Sequence, residues 1–171
     1  STVATVTGNT VTIVGAGSTS ITASQGGNAS FGAAAAVSRP LNVARAAQVV
    51  TFPTIPSKTF GAAPFTLGAS ASSGLSVSYA SSNPAAATVS GSTVTIVGAG
   101  AATITASQSG NGNFEPAPNV SQPLEVSKAN QTISFTFPPG KKFGDPPFVL
   151  VATSTSGLPV VITSSDPGVI S

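Results

Sequence analysis

The side chains in this chain of 171 residues best suited to move protons or ligate a hard cation are four carboxylates, Glu115, Glu125, Asp145 and Asp166. Histidine and cysteine are absent, which removes the imidazole base, the thiolate nucleophile and the zinc–thiolate site together. Acid–base catalysis would need two carboxylates held close. A calcium joint would need about six to eight oxygens, several of them from carboxylates. The acids are scattered instead. Shifted by 83 positions the sequence aligns on itself without a gap, and Glu115 then falls on Gly32, Glu125 on Asn42, Asp145 on Ala62 and Asp166 on Asn83. No acid recurs, so the sequence predicts no enzyme, no metal and no cofactor. Asp166, beside Ser164 and Ser165, is expected to cap a turn through its own backbone.

The glycines invite a second chemistry. "TVTIVGAG" stands unchanged at residues 10–17 and 93–100, and a Gly-x-Gly could cradle a phosphate. A phosphate loop presents its amides at a helix start and is commonly followed by Lys-Ser/Thr. Neither follows here, so the glycines are expected to supply a bend or a positive-φ turn between strands. The densest basic spot, Lys141-Lys142, reads as a solvated loop. With a net charge of +2 and only 6% charged residues, the chain cannot raise the Lys/Arg field that nucleic acid or an anionic membrane requires. Lys128 and Asn130 are the nearest pair for an intramolecular Lys–Asn crosslink, but both fall in a linker. Asn28, Asn119 and Asn130 head Asn-x-Ser/Thr triplets that fit N-glycosylation acceptors, though a Ser/Thr-rich chain makes such triplets by chance. With no Trp and a single Tyr, Tyr79, placed inward, there is no aromatic platform for a sugar.

What must position these residues is a repeat. "ATVTGNTVTIVGAGSTSITASQGGN" (residues 4–28) answers "ATVSGSTVTIVGAGAATITASQSGN" (87–111), and "VSRPLNVARA" (37–46) answers "VSQPLEVSKA" (120–129). "KTFGAAPFTL" matches "KKFGDPPFVL", with Phe143 under Phe60, and "SSGLSVSYASSNP" matches "TSGLPVVITSSDP". The natural phase gives one complete unit over residues 47–129. Before it stands the second half of a preceding unit, 1–46, and after it the first half of a following one, 130–171. No signal-peptide pattern stands at Ser1, and the apolar runs are far shorter than a membrane span. The chain reads as an internal piece of something longer, with each half-unit needing its missing half from elsewhere.

Within a unit, Val94 and Ile96 alternate with Thr93 and Thr95, the pattern of a half-buried strand. Gly91-Ser92, and Gly8-Asn9 in the first copy, read as two-residue hairpin turns. Further strands are expected over 49–52, 65–71, 76–81, 88–89, 102–107 and 123–126, with "PTIPS" (53–57) and "EPAPN" (115–119) as connectors. About seven short strands per unit with frequent turns and no helical period predict an all-β fold, an antiparallel sandwich. The expected core is Phe52, Phe60, Phe65, Leu67, Leu75, Val77, Tyr79, Val89, Val94, Ile96, Ile104, Phe114, Leu124 and Val126.

These residues resemble a known family. Residues 81–107, with Ser-x-Asn-Pro, a Gly turn and the run Val-x-Gly-x-Gly-x-Ala-x-Ile-Thr-Ala, are similar to the bacterial immunoglobulin-like domains of the group 2 type. The segments "QTISF", "KKFGDPPFVL" and "SGLPV" within 131–160 resemble the tandem repeats of very long bacterial surface proteins. Ala86 and Ala62 depart from the usual Val and Asp. The resemblance implies tandem immunoglobulin-like sandwiches, outside the cell or on its surface, used as stalks, shafts or fibres, and it brings no catalytic residues. The short linker and charge-poor, hydroxyl-rich surface lead to the same expectation: an extracellular structural array whose partners are copies of itself, end to end and side by side, with neither nucleic acid nor membrane insertion. The alternatives are a non-assembling adhesin stalk, or spacer repeats of a giant surface protein whose binding or catalytic domain lies elsewhere.

Overall fold

A computed structural model describes residues 3–166 of the chain. Every named element is a strand, fifteen in all among the described residues, as the alternation of β-branched and small residues predicts. Residues divide into two compact units, Ser1–Lys128 and Ala129–Ser171.

The first unit opens with the hairpin β1 (Ala4–Thr7) and β2 (Thr10–Ile13), paired Ala4↔Ile13 through Thr7↔Thr10. Gly8 takes φ 58 while no non-glycine residue has positive φ. That is the sign pattern of a II′ turn, whose twist matches the flanking strands. A second antiparallel pair follows, β3 (Gly17–Gln25) with β4 (Ala34–Val43), bulged between Ala23 and Gln25.

From Gln48 onward come the short strands β5 (Val50–Thr51), β6 (Lys58–Thr59), β7 (Phe65–Thr66), β8 (Ser70–Ala71) and β9 (Ser78–Ser81). The longer β10 (Ala87–Ser90), β11 (Thr93–Ile96), β12 (Gly100–Ser107) and β13 (Val120–Ser127) complete the unit. They form sheets ordered β10-β11-β7, β6-β13-β12-β9 and β5-β8. The hairpin β10–β11 repeats the register of β1–β2, Ala87↔Ile96 through Ser90↔Thr93, around Gly91 at φ 57. β12 and β13 repeat that of β3 and β4, Gly100↔Val126 answering Gly17↔Val43.

One apolar cluster draws on all three sheets: Val50 and Phe52 from the β5 stretch, Leu67 beyond β7, Ala87 and Val94 from the β10–β11 hairpin, and Ile104, Ala106, Leu124 and Val126 from β12 and β13. Ile104, Leu124 and Val94 are fully enclosed. Phe65, Val77, Tyr79, Val89 and Ile96 line its edge, and the Tyr79 ring lies 5.7 Å from that of Phe52. Three expected core residues are elsewhere. Phe60 is 49% exposed because the chain turns at Gly61, φ 89, with Ala62 N–H bonding the Thr59 carbonyl. Leu75, just after the turn at Gly74, is only half-buried, and so is Phe114.

The expectation of purely antiparallel pairing is corrected at one place. β6 runs parallel to β13, Val126↔Lys58 and Ser127↔Thr59. The contact is short, and it leaves Pro123 at a point where β13 has β12 on one side only, the edge setting in which a missing N–H is tolerated.

In the second unit, β14 (Ile133–Thr136) pairs with β15 (Val151–Ser154), Ile133↔Ser154 through Thr136↔Val151. This extends the register of Val50↔Ala71 and Thr51↔Ser70 in the first unit. Lys141 Nζ sits 4.7 Å over the Phe148 ring, as Lys58 Nζ sits 4.7 Å over Phe65. The expected solvated lysine is therefore seated on an aromatic face.

Candidate functional site at the seam between residues 3–46 and 47–128

Two glutamines lie buried at the head of the core, Gln48 and Gln108. Strand phase puts them there: Gln48, Val50 and Phe52 occupy alternate positions of one extended run, and Ile104, Ala106 and Gln108 of another, all buried. Each carboxamide is matched. Gln48 Nε2 donates to Gln108 Oε1 at 2.6 Å and to the Glu115 carbonyl at 2.7 Å, while Ser73 Oγ donates to Gln48 Oε1. Gln108 Oε1 also accepts from Gly110 N, and its backbone carbonyl accepts from Ala117 N at 2.9 Å. No buried side-chain polar atom among the described residues lacks a partner, as a low-dielectric site demands.

Through Gly110 the pair fixes a loop. Gly110 has φ 73, and a Cβ there would stand 2.4 Å from the Phe114 carbonyl oxygen, so only glycine fits. Asn111 Oδ1 accepts from Asn113 N at 2.8 Å and Phe114 N at 3.0 Å, closing the loop on itself.

The loop then takes hold of the preceding segment. Ala46 N–H donates to the Asn113 carbonyl at 2.8 Å, and Glu115 N–H donates to the Ala46 carbonyl at 2.9 Å. The result is an isolated parallel bridge between Ala46 and Phe114. Arg45 Nε lies 3.1 Å from Glu115 Oε1, both side chains 47% exposed. Finally, Asn113 Oδ1 accepts from Ala16 N at 2.8 Å. Ala16 is the middle residue of the first Gly-Ala-Gly. The loop that resembled a phosphate cradle offers its amide to the neighbouring segment's asparagine. Its glycines do supply the bend: Gly17 has φ 133, Gly100 has φ 145, and a Cβ on Gly98 would meet the Ala85 carbonyl oxygen at 2.7 Å.

The residues singled out in the sequence are otherwise dispersed. Asn28 is exposed, and its Oδ1 caps the backbone of Ser30 and Phe31 at 2.8 and 3.0 Å. Asn119 and Asn130 are exposed, as is Lys128. Near Asp166 the cap is the Ser164 hydroxyl, which accepts from Asp166 N and donates to the Asp166 carbonyl. The residues the Asp166 carboxylate was expected to cap lie outside the described ones. Asp145 Oδ2 accepts from Lys142 N at 3.0 Å. Among the described residues no three of His, Cys, Asp or Glu come together, and no helix is long and apolar enough to cross a membrane. Tyr79 gives its hydroxyl to the Ala69 backbone.

No family model matches this sequence, and no curated protein matches it. What the seam can do rests on its own geometry. It holds no acid–base pair and no ligand set. Instead it joins two stretches of strand through a linker of four residues, 44–47, paired backbone to backbone.

Sequence reading passed over both glutamines, although each recurs at its 83-shifted place, Gln25 for Gln108 and Gln131 for Gln48. The signal was their phase with Val50 and Ile104. Asn113 and Ala46 carried none, since their bonds use groups that any residue, or any asparagine, offers.

Proposed function

We propose that this chain is a stretch of an extracellular structural protein, a tandem array of immunoglobulin-like sandwiches that forms a filament, sheath or surface shaft and associates with copies of itself. The observation that carries the reading is the seam. Ala46 paired with Phe114, and Ala16 bonded to Asn113, tie one segment to the next at a fixed place, where a free linker would let them swivel. Successive units so tied stack into a semi-rigid rod.

Further support comes from the matched registers of the hairpins at residues 4–13 and 87–96, and from the single core that gathers strands of residues 47–126. On this reading 47–129 is one whole repeat, 1–46 the latter half of another and 130–171 the beginning of a third. The placement outside the cell rests on the resemblance to surface repeats, and the low charge suits lateral association.

The test is electron microscopy of native material together with its intact mass after denaturation. Ordered rods, and a mass many times 16.5 kDa, are the expected result. Dispersed single shafts ending in a separate head would overturn self-association in favour of an adhesin stalk.

A further inference from the structure

Residues 3–46 and 130–166 each carry one half of the face that the whole core buries. Val94 is 0% exposed while its counterpart Val11 is 43% exposed, and Phe52 is 6% exposed while Phe135 is 49% exposed. Ile104 and Leu124 are fully enclosed, whereas Ile21 and Leu41 are only half-buried. In the second unit an open cleft of about 270 Å³ is lined by Ile133, Phe135, Ala152, Val160 and Ile162. Their counterparts Val50, Phe52, Ala69, Val77 and Tyr79 all pack on the core that Ile104 and Leu124 fill.

We propose that residues 130–166 of one copy and residues 3–46 of a second copy close one sandwich between them, so that copies of this chain add head to tail. The proposal rests on the reading of the repeat as a sandwich unit. The whole repeat supplies the template for every contact.

Val94↔Phe65 becomes Val11 opposite Phe148 across copies. Ala106↔Tyr79 and Ile104↔Ser81 become Ala23 opposite Ile162 and Ile21 opposite Ser164. The parallel step Val126↔Lys58 becomes Val43 beside Lys141.

The polar pair is divided in the same way. Gln25, exposed, already bonds Gly27 N at 2.8 Å as Gln108 bonds Gly110, and Gln131, exposed, already accepts from Ser156 Oγ as Gln48 does from Ser73. Bringing the two together restores the Gln48–Gln108 contact. It also fixes the register, because a slip by one residue would bury an unmatched carboxamide. A generic apolar partner would cover the face but would leave Gln25 and Gln131 without each other.

The contact is heterologous, and the surface offered at one end is the one consumed at the other, so growth does not close on itself unless the rotation makes a ring.

The test uses the full chain in sedimentation velocity. The unsubstituted chain is expected to form oligomers that lengthen with concentration. Val11→Asp removes one face and Phe135→Asp the other. Each variant alone is expected to sediment as a monomer of about 16.5 kDa, and their mixture as a dimer and nothing larger. The conservative Val11→Ile and Phe135→Leu keep assembly, which separates a lost face from a lost fold.

An independent arm uses the absence of native cysteine. Thr105↔Ala80 in the whole repeat maps to Thr22 opposite Thr163 across copies. Thr22→Cys with Thr163→Cys is therefore expected to oxidise into a ladder in 16.5 kDa steps on a denaturing gel. The proposal is overturned by an unsubstituted chain that stays monomeric at every concentration, by a variant mixture that does not dimerise, or by thiols that close within single chains. Those outcomes leave the covalent-array reading standing, since the mass of native material decides it separately.

Discussion

Gln48 Nε2 meets Gln108 Oε1 at 2.6 Å across 60 residues of chain, both side chains out of solvent. The bond ties the first strand of the whole repeat to the loop that grips the preceding segment. Replacing either residue by Leu strands the other carboxamide in a low-dielectric site, and the expected cost is about 1–3 kcal/mol. It should be read as a lower urea midpoint at unchanged m. The double variant Gln48→Leu/Gln108→Leu should lose less than the sum, with a coupling of about 0.5–3 kcal/mol in a double-mutant cycle. Strict additivity would show that the pair does not act as a unit.

Much of this architecture was legible beforehand, and the reasons differ by element. The hairpins at 4–13 and 87–96 follow from Val and Ile alternating with Thr around a Gly-x turn, local information that fixes register. The strand at Lys58–Thr59 was not foreseen, because two residues carry no period and their partner, Val126–Ser127, is remote in sequence. Ala87 and Ala106 are fully buried, yet small residues give no apolar signal of their own. Phe114 was assigned to the core for its size, but it serves the seam, where its backbone pairs with Ala46. Of the site, only the glycines announced themselves.

Asn113→Ala should release the Ala16 amide while sparing the core. Hydrogen exchange at Ala16 N–H is expected to accelerate, with a stability loss of about 0.5–1.5 kcal/mol, the worth of one ordinary hydrogen bond. Amides of β12 and β13 should keep their protection. Equal acceleration throughout would mean that the seam and the core are not separable.

Gly98→Ala places a methyl group 2.7 Å from the Ala85 carbonyl oxygen, and backbone cannot yield as a flexible side chain can. A loss of about 1–3 kcal/mol is expected. Gly112→Ala, where a Cβ meets nothing within 4 Å, should change stability by no more than about 0.5 kcal/mol. Thermal unfolding of the two variants side by side checks the contrast.

Ile104→Ala and Ile21→Ala delete the same side chain from aligned strands in different surroundings. The first empties a fully enclosed site and should cost about 2–5 kcal/mol. The second, half-buried, should cost clearly less in a dilute sample. Denaturant titration of both, at concentrations where the chain is a monomer, gives the comparison.

The ion pair of Arg45 and Glu115 is open to water on both sides. Glu115→Gln should therefore change stability by less than about 1 kcal/mol, and most of that difference should vanish at about 1 M salt, where screening acts within about 3 Å. A larger, salt-insensitive loss would show that the pair, and not the backbone bridge beside it, holds the seam.

The parallel contact of β6 with β13 has a mechanical meaning. Lys58 lies near the start of the whole repeat and Ser127 at its end, and the two strands point the same way, joined by Phe60 N–H to the Ser127 carbonyl at 2.8 Å. A pull on the chain from both sides drags β6 backward and β13 forward. The bonds between them are then strained sideways and together, where an antiparallel pair tugged at one end would open one bond at a time like a zip. Traction along the thread meets the repeat in its resistant direction.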